Sequence, residues 1–144
     1  MLEMPTLYFA YGANMNPESM KWRCPRAIPV GGFILRDWEL QFYSHATIEP
    51  RKGAEVAGVI WDITVDCENS LDIFEGFPSY YTKRSWMQDD KLFFFYEMTN
   101  PKQGTPSQGY IDDIHQAYRH WQLPVQYLNQ AVNVTTDKKE KTFV

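Results

Sequence analysis

The first part of the chain alternates short apolar runs with glycine or polar breaks, a pattern typical of β-strands. Residues 7–11 are apolar or aromatic and stop at Gly12, which predicts a buried strand. Three more runs, rich in β-branched and aromatic side chains, follow at residues 33–35, 38–43 and 56–64. Because glycines at 31–32 and a polar stretch at 49–53 separate these runs, the pattern predicts three further strands.

A short helix is predicted directly after the loop that follows the first strand. Asn16 is a good cap residue, Pro17 suits the first helical position, and Glu18 places an acidic side chain in the first turn. We expect this helix to end near Trp22.

A second helix is predicted between Asp66 and Gly76. Asp66 can cap it, and apolar side chains recur at the i, i+4 and i+7 positions of one helix face, at Cys67, Leu71 and Phe74. Gly76 provides the stop, because glycine readily adopts the left-handed conformation in which many helices end.

The second half of the chain predicts a hairpin and then two helices. Residues 80–87 and 92–98 form the hairpin strands around a polar four-residue turn at 88–91. After Ser107 comes an apolar helical stripe made of Tyr110, Ile111, Ile114, Tyr118 and Trp121. Pro124 opens the last helix, and residues 134–144 predict a frayed tail.

The composition fits a single globular domain over residues 1–144. Hydrophobic residues make up 44% of the chain and charged residues 22%, so a core can form without disulfide bonds or bound metals to hold it. The formal net charge of -4 argues against a nucleic-acid partner. No apolar run approaches the ~20 residues that span a bilayer, and residues 1–5 show no leader pattern, so we expect a cytoplasmic protein with no membrane partner.

Cysteine and histidine placement predicts neither a disulfide nor a metal site. Cys24 and Cys67 lie in different predicted elements, and cytosolic thiols stay reduced, so we expect free thiols. Basic residues surround Cys24, but no neighbouring histidine points to a nucleophilic thiol. The remaining candidates, His45, His115 and His120, form no metal-ligand pattern.

The loop after the first strand contains a candidate anion site. Gly12 lets the backbone approach a ligand closely because it has no Cβ, and the amides of such a loop can converge on an anion. The unpaired amides of the helix that begins after Asn16 also favour an anion. The alternative is that Gly12 only makes a turn between strand and helix.

Glu75 is a candidate acid/base. It lies in the last turn of the second predicted helix, where the helix dipole disfavours a carboxylate by ~0.3–1 kcal/mol. Its aromatic neighbours in the sequence are Phe74, Phe77, Tyr80 and Tyr81. Partial burial among them would raise the pKa of Glu75 toward the range useful for proton transfer. The alternative is a solvated glutamate at a helix end.

Two segments resemble the γ-glutamylcyclotransferase family. Residues 7–15, LYFAYGANM, are similar to the glycine loop of that family, and residues 71–76, LDIFEG, are similar to its catalytic-glutamate segment. Further similarity occurs at residues 57–61, 96–100, 106–110 and 123–128. The resemblance covers about residues 6–132.

The resemblance implies a fold and an activity. The fold is a single α+β domain whose mixed sheet closes into a small barrel, with helices outside it and a cavity at one mouth. The activity is cyclisation of the γ-glutamyl group of a γ-glutamyl peptide or amine, which releases 5-oxoproline and a free amine without a metal or other cofactor. We expect the partner to be that small substrate and the assembly to be a monomer or homodimer.

The resemblance also implies residue roles. Glu75 matches the catalytic acid/base. The substrate-binding positions are Tyr8, Phe9, Ala10, Tyr11, Gly12, Ala13, Asn14, Tyr81 and Tyr110, although the segment between Glu75 and Tyr81 looks one residue short. Ala13 stands where the family commonly has serine, which removes one hydroxyl donor. A catalytically silent module that binds a small anionic metabolite in the same cavity is therefore the alternative; an interaction domain without a ligand explains neither segment.

Overall fold

Five strands and four helices form the main elements of the computed structural model, which describes residues 6–102 and 104–142. The strands are β1 (Thr6–Ala10), β2 (Ile28–Phe42), β3 (Ala46–Ile63), β4 (Tyr81–Gln88) and β5 (Lys91–Met98). The helices are α1 (Pro17–Arg23), α2 (Val65–Glu75), α3 (Gln108–Trp121) and α4 (Val125–Thr142). One mixed sheet contains the strands in the order β2-β3-β1-β5-β4, which confirms the predicted α+β class.

β1 lies in the middle of the sheet and leads directly into the glycine loop. It runs antiparallel to β3, with Ala10 opposite Val59, and parallel to β5, with Tyr8 opposite Phe94. A central strand is covered on both faces, which explains the unbroken apolar run at residues 7–11. The sheet therefore holds the start of the loop firmly.

β2 and β3 form one long hairpin, so the prediction of three shorter strands is wrong. Gly31 does not end β2, because a register shift allows it to pair with Ile60. The polar stretch at 49–53 continues β3, and Pro50 within it pairs with Trp38. At the glycines a β-bulge lets the strand continue. Most of the polar stretch is exposed, and polar side chains are tolerated on an exposed part of a strand.

The sheet stays open, so the predicted closed barrel is wrong. β2 and β4 are its two edges. The Gln88 side chain bridges them: it accepts from the Arg36 amide at 2.8 Å and donates to the Ile34 carbonyl at 2.8 Å. Asp37, at φ 68°, lies in a register shift of β2 at this point, and side-chain bonds, not backbone pairing, link β2 to β4 in the described sheet.

The turn between β4 and β5 is tighter than the predicted four-residue turn. Gln88 pairs with Lys91, so only Asp89 and Asp90 form the turn. Both have positive φ, 53° and 63°, as the favoured two-residue hairpin turns require.

The helix ends follow from their capping residues. Asn16 caps α1 as predicted, and Ser107 caps α3; the side chain of each accepts a hydrogen bond from a backbone amide. Thr64, and not Asp66, caps α2. Gly76 ends α2 at φ 66°, which confirms the predicted stop.

α4 extends further than the sequence predicts. It continues to Thr142, so the segment predicted to fray from residue 134 is helical as far as that residue, and residues 143–144 lie outside the described part. Lysine and glutamate, which favour helix, make up much of this segment. No described helix is both long and apolar enough to cross a membrane.

Cys24 and Cys67 form a disulfide, so the prediction of free thiols is wrong. Their Cα atoms are 4.9 Å apart, within the range that a disulfide requires. Cys24 directly follows α1 and Cys67 lies in the first turn of α2, so the bond fastens these two helices together. The prediction relied on the usual state of cytosolic thiols and had no information on helix packing.

Reduction of this disulfide is expected to destabilise the protein. The bond joins residues 43 positions apart, and closing a loop of that size contributes roughly 2–4 kcal/mol to the free energy of unfolding. Urea unfolding with and without reductant measures this difference, and the double variant Cys24→Ala/Cys67→Ala should not respond to reductant. Alkylation of both cysteines in the denatured, unreduced protein would contradict the disulfide.

Candidate active site

A cavity of about 360 Å³ lies where the loop after β1 meets the end of α2. Eight of the residues selected from the sequence line it: Tyr8, Tyr11, Gly12, Ala13, Asn14, Glu75, Tyr81 and Tyr110. The lining is completed by His45, Ala46, Ile73, Phe74, Gly76, Tyr80 and Tyr96. The fold thus brings β1, α2, β4, β5 and α3 to one small chamber.

Phe9 and Ala10 are the two selected residues that the structure does not bring to the cavity. Phe9 is fully buried on the other side of β1, where its ring packs against Phe33 and Phe93 at centroid distances of 6.0 Å. Tyr8 instead stacks on Phe94, 5.3 Å away. Successive side chains of a strand point to opposite faces, so the Phe9 side chain belongs to the core. Substrate binding by Phe9 and Ala10 stays a prediction.

The glycine loop carries backbone amides that are available to a ligand. A single 3-10 turn spans Ala13–Met15, and its first bond joins the Met15 amide to the Gly12 carbonyl at 3.1 Å. The amides of Gly12, Ala13 and Asn14 donate to no other described residue. A Cβ on Gly12 would lie 3.3 Å from Tyr110 Oη, so glycine keeps this part of the cavity open.

Glu75 is the only carboxylate among the described residues that line the cavity. Asn14 Nδ2 donates two hydrogen bonds, to Glu75 Oε1 and to Tyr8 Oη, each at 3.0 Å. Burial raises the pKa of Glu75 from 4.5 to about 7, while the positive charge of Arg23 and the Asn14 hydrogen bond oppose the rise. The predicted upward shift is confirmed, and near neutral pH the carboxyl group exchanges protons readily.

Tyrosines supply most of the polar side chains that line the cavity. Tyr81 Oη donates to the Ala46 carbonyl at 2.5 Å, and Tyr110 Oη accepts from the Ala46 amide at 3.1 Å. Burial raises the pKa of Tyr110 to about 12 and raises the pKa of Tyr8 and Tyr81 further. These phenols therefore stay neutral at physiological pH and act as hydrogen-bonding groups, not as charges.

Sequence reasoning missed Tyr96, His45 and Arg23 as parts of the site. Tyr96 lies in a strand segment that showed family similarity, which was the available signal for it. His45 Nδ1 lies 2.8 Å from Tyr80 Oη at the exposed rim, a contact between residues 35 positions apart that no local pattern reveals. Arg23 does not line the cavity itself but contacts two residues that do, Asn14 and Phe74.

The protein thus combines an α+β fold with a small chamber that holds one partly buried carboxylate, an arrangement typical of sites for small molecules. The model of the family described as "Gamma-glutamyl cyclotransferase, AIG2-like" matches residues 8–123 of this chain. The chain therefore belongs to that family, as its two sequence segments predicted.

Similar proteins support this assignment. The Gamma-glutamylcyclotransferase of Homo sapiens is 32% identical over 139 residues, covering 84% of this chain and 74% of the relative. That of Bos taurus is 30% identical over the same length, with the same coverage. A solved structure titled "Gamma-glutamyl cyclotransferase" superposes with a TM-score of 0.78 at 31% identity, covering 89% of this chain and 86% of the other.

Proposed function

We propose that this protein is a γ-glutamylcyclotransferase that cyclises the γ-glutamyl group of a γ-glutamyl peptide or amine. The products are 5-oxoproline and the free amine. The observation that carries the proposal is the position of Glu75, a carboxyl group with a raised pKa inside the same cavity as the available amides of Gly12, Ala13 and Asn14. The named relatives agree with it.

In the proposed reaction one carboxylate carries two protons, one after the other, from the attacking nitrogen to the departing nitrogen. Glu75 accepts a proton from the substrate α-ammonium, and the resulting amine attacks the γ-carbonyl carbon of the same molecule. The new ring C–N bond forms, Glu75 passes its proton to the amide nitrogen, and the bond between that nitrogen and the γ-carbon breaks. The ring nitrogen then gives its second proton to Glu75, which delivers it to the released amine, so the lactam nitrogen is neutral and Glu75 ends ionised. Atoms and charge balance within substrate and carboxyl group, so the proposal requires no cofactor.

The loop amides are proposed to stabilise the reaction's developing negative charge. Attack on the γ-carbonyl converts its oxygen into an oxyanion, and backbone N–H groups are effective donors to such an atom. The cavity also holds the substrate in the folded conformation that brings amine and carbonyl together. The two reacting groups therefore start in a near-attack geometry and need not meet by free rotation of the substrate chain. Ala13 contributes its amide here and no hydroxyl.

Product analysis tests the proposed function. Glutathione, γ-glutamyl dipeptides and γ-glutamyl amines are each incubated with the protein, and 5-oxoproline, free amine and glutamate are measured by mass spectrometry. We expect 5-oxoproline and amine in equal amounts above the enzyme-free rate. Glutamate as the product would indicate hydrolysis, and tight binding without any product would favour the silent binding module that Ala13 leaves open.

The remaining expectations about context stay predictions. The proposed partner is the γ-glutamyl substrate itself, and the proposed assembly is a monomer or homodimer. A cytoplasmic location also stays a prediction. The Cys24–Cys67 disulfide argues against it, because cytosolic proteins rarely keep disulfides.

A further inference from the structure

Arg23 contacts the candidate active site from outside the cavity. Its Nη1 donates to Asn14 Oδ1 at 2.8 Å, and its guanidinium carbon lies over the Phe74 ring, 3.5 Å from the ring centre. Arg23 is the last residue of α1, and the next residue, Cys24, is bonded to α2. The end of α1 is thereby held against both the glycine loop and the helix that carries Glu75.

The hydrogen bonds of Asn14 link Arg23 to Glu75. The Asn14 side chain is buried, with 3% of the residue's surface exposed, and its Nδ2 donates to both Tyr8 Oη and Glu75 Oε1. A guanidinium has donors and no acceptor, so Arg23 can bond only to the oxygen of the Asn14 amide. The nitrogen of that amide must then face Glu75.

We propose that Arg23 is a positioning residue, which fixes the orientation of the Asn14 amide and thereby holds the Glu75 carboxylate toward the substrate. This inference rests on the proposed function, because it takes Glu75 as the group that transfers the proton. Without Arg23 only the contacts to Glu75 and Tyr8 orient the Asn14 amide, so it rotates by half a turn more easily. Its oxygen would then meet the carboxylate, and two acceptors cannot form a hydrogen bond.

The charge of Arg23 acts in the same direction as its hydrogen bond. In the described part of the chain, Arg23 is the one cation that lowers the pKa of Glu75, against the rise caused by burial. The other titratable groups that face Glu75 or share its cavity are His45, Tyr8, Tyr11, Tyr80, Tyr81, Tyr96 and Tyr110. Burial raises the pKa of each of these tyrosines, so they offer no negative charge that competes for Arg23 near neutral pH.

Two substitutions of Arg23 separate this role from a merely structural one. Arg23→Gln removes the positive charge and gives the side chain an acceptor as well as donors. Arg23→Lys keeps the positive charge and a side chain that only donates hydrogen bonds. Arg26→Gln is the matched control, since Arg26 is exposed three residues further along the chain. For each variant, kcat and KM for 5-oxoproline release are measured, and the Glu75 carboxyl is titrated by carbon NMR in protein with labelled glutamate.

For Arg23→Gln we expect kcat to fall by about tenfold to hundredfold, with KM changed by less than about threefold. The Glu75 titration midpoint should move above its starting value of about 7. Arg23→Lys should restore most of both properties, and Arg26→Gln should match the unchanged protein.

A wild-type kcat per folded molecule together with an unmoved Glu75 titration in Arg23→Gln would overturn the proposal, even if the variant were less stable. Failure of the proposed function looks different, because the unchanged protein would then release no 5-oxoproline. The NMR titration would still report whether Arg23 controls Glu75.

Discussion

Glu75→Gln is expected to lower kcat/KM for 5-oxoproline release by about 10³-fold or more. General acid–base catalysis by one side chain contributes ~10²–10⁴-fold, and here the same carboxyl group acts in both proton transfers. Glutamine has nearly the same shape and can still accept the hydrogen bond from Asn14 Nδ2 through its own side-chain oxygen. The loss should therefore appear in kcat, without loss of the fold, and steady-state kinetics with product quantification measure it.

The matched control for this change is Glu18→Gln. Glu18 is an exposed glutamate in the first turn of α1, close to the glycine loop in sequence and outside the cavity. We expect its variant to keep the full activity. Turnover within a few-fold of the unchanged protein in Glu75→Gln would remove Glu75 from the mechanism, whatever the control shows.

Gly58→Ala is expected to unfold the protein or to destabilise it by about 3 kcal/mol, because overpacking a well-packed core costs ~1–3 kcal/mol and here the obstacle is partly backbone. A Cβ on Gly58 would lie 2.6 Å from two carbons of the Phe9 ring and closer still to the Ala10 carbonyl oxygen. That carbonyl belongs to the last residue of β1, directly before the glycine loop. The substitution should therefore lower both the free energy of unfolding in urea and the activity of the folded fraction.

Gly109→Ala is the control for Gly58→Ala. Gly109 lies in the first turn of α3, and a Cβ there would meet nothing within 4 Å. Alanine favours helix over glycine, so we expect an unchanged or slightly higher free energy of unfolding. Equal stability of the two variants would contradict the close approach of β1 and β3 at Gly58.

Local sequence patterns predicted those helix ends that a capping side chain or a glycine defines. The cap at Asn16 and the stop at Gly76 are set by neighbouring residues, so sequence reasoning placed them correctly. The break expected at the glycines 31–32 is overridden by pairing with β3, and in place of the expected barrel the sheet is open, with β2 and β4 at its edges. Both corrections depend on contacts between distant parts of the chain, which periodicity does not contain.

The candidate site likewise has a part that local sequence predicts and a part that depends on contacts across the fold. The glycine loop and Glu75 are recognisable as segments, because each keeps its own local pattern. Their connection through Asn14, and the link from Asn14 to Arg23, are side-chain bonds across the fold. The disulfide is a similar case, since it depends on how α1 packs against α2 and not on the spacing of the two cysteines.

The pH dependence of kcat/KM for 5-oxoproline release shows whether Glu75 is the proton acceptor. The carboxylate form is the active one, and burial raises the pKa of Glu75 to about 7, so activity should rise with pH through that value. At two pH values below the midpoint about one hundredth of the carboxyl groups remain ionised, so we expect kcat/KM near pH 5 to be about a hundredfold lower than at pH 8. A profile that stays flat from pH 5 to pH 8 would show that Glu75 is not the proton acceptor.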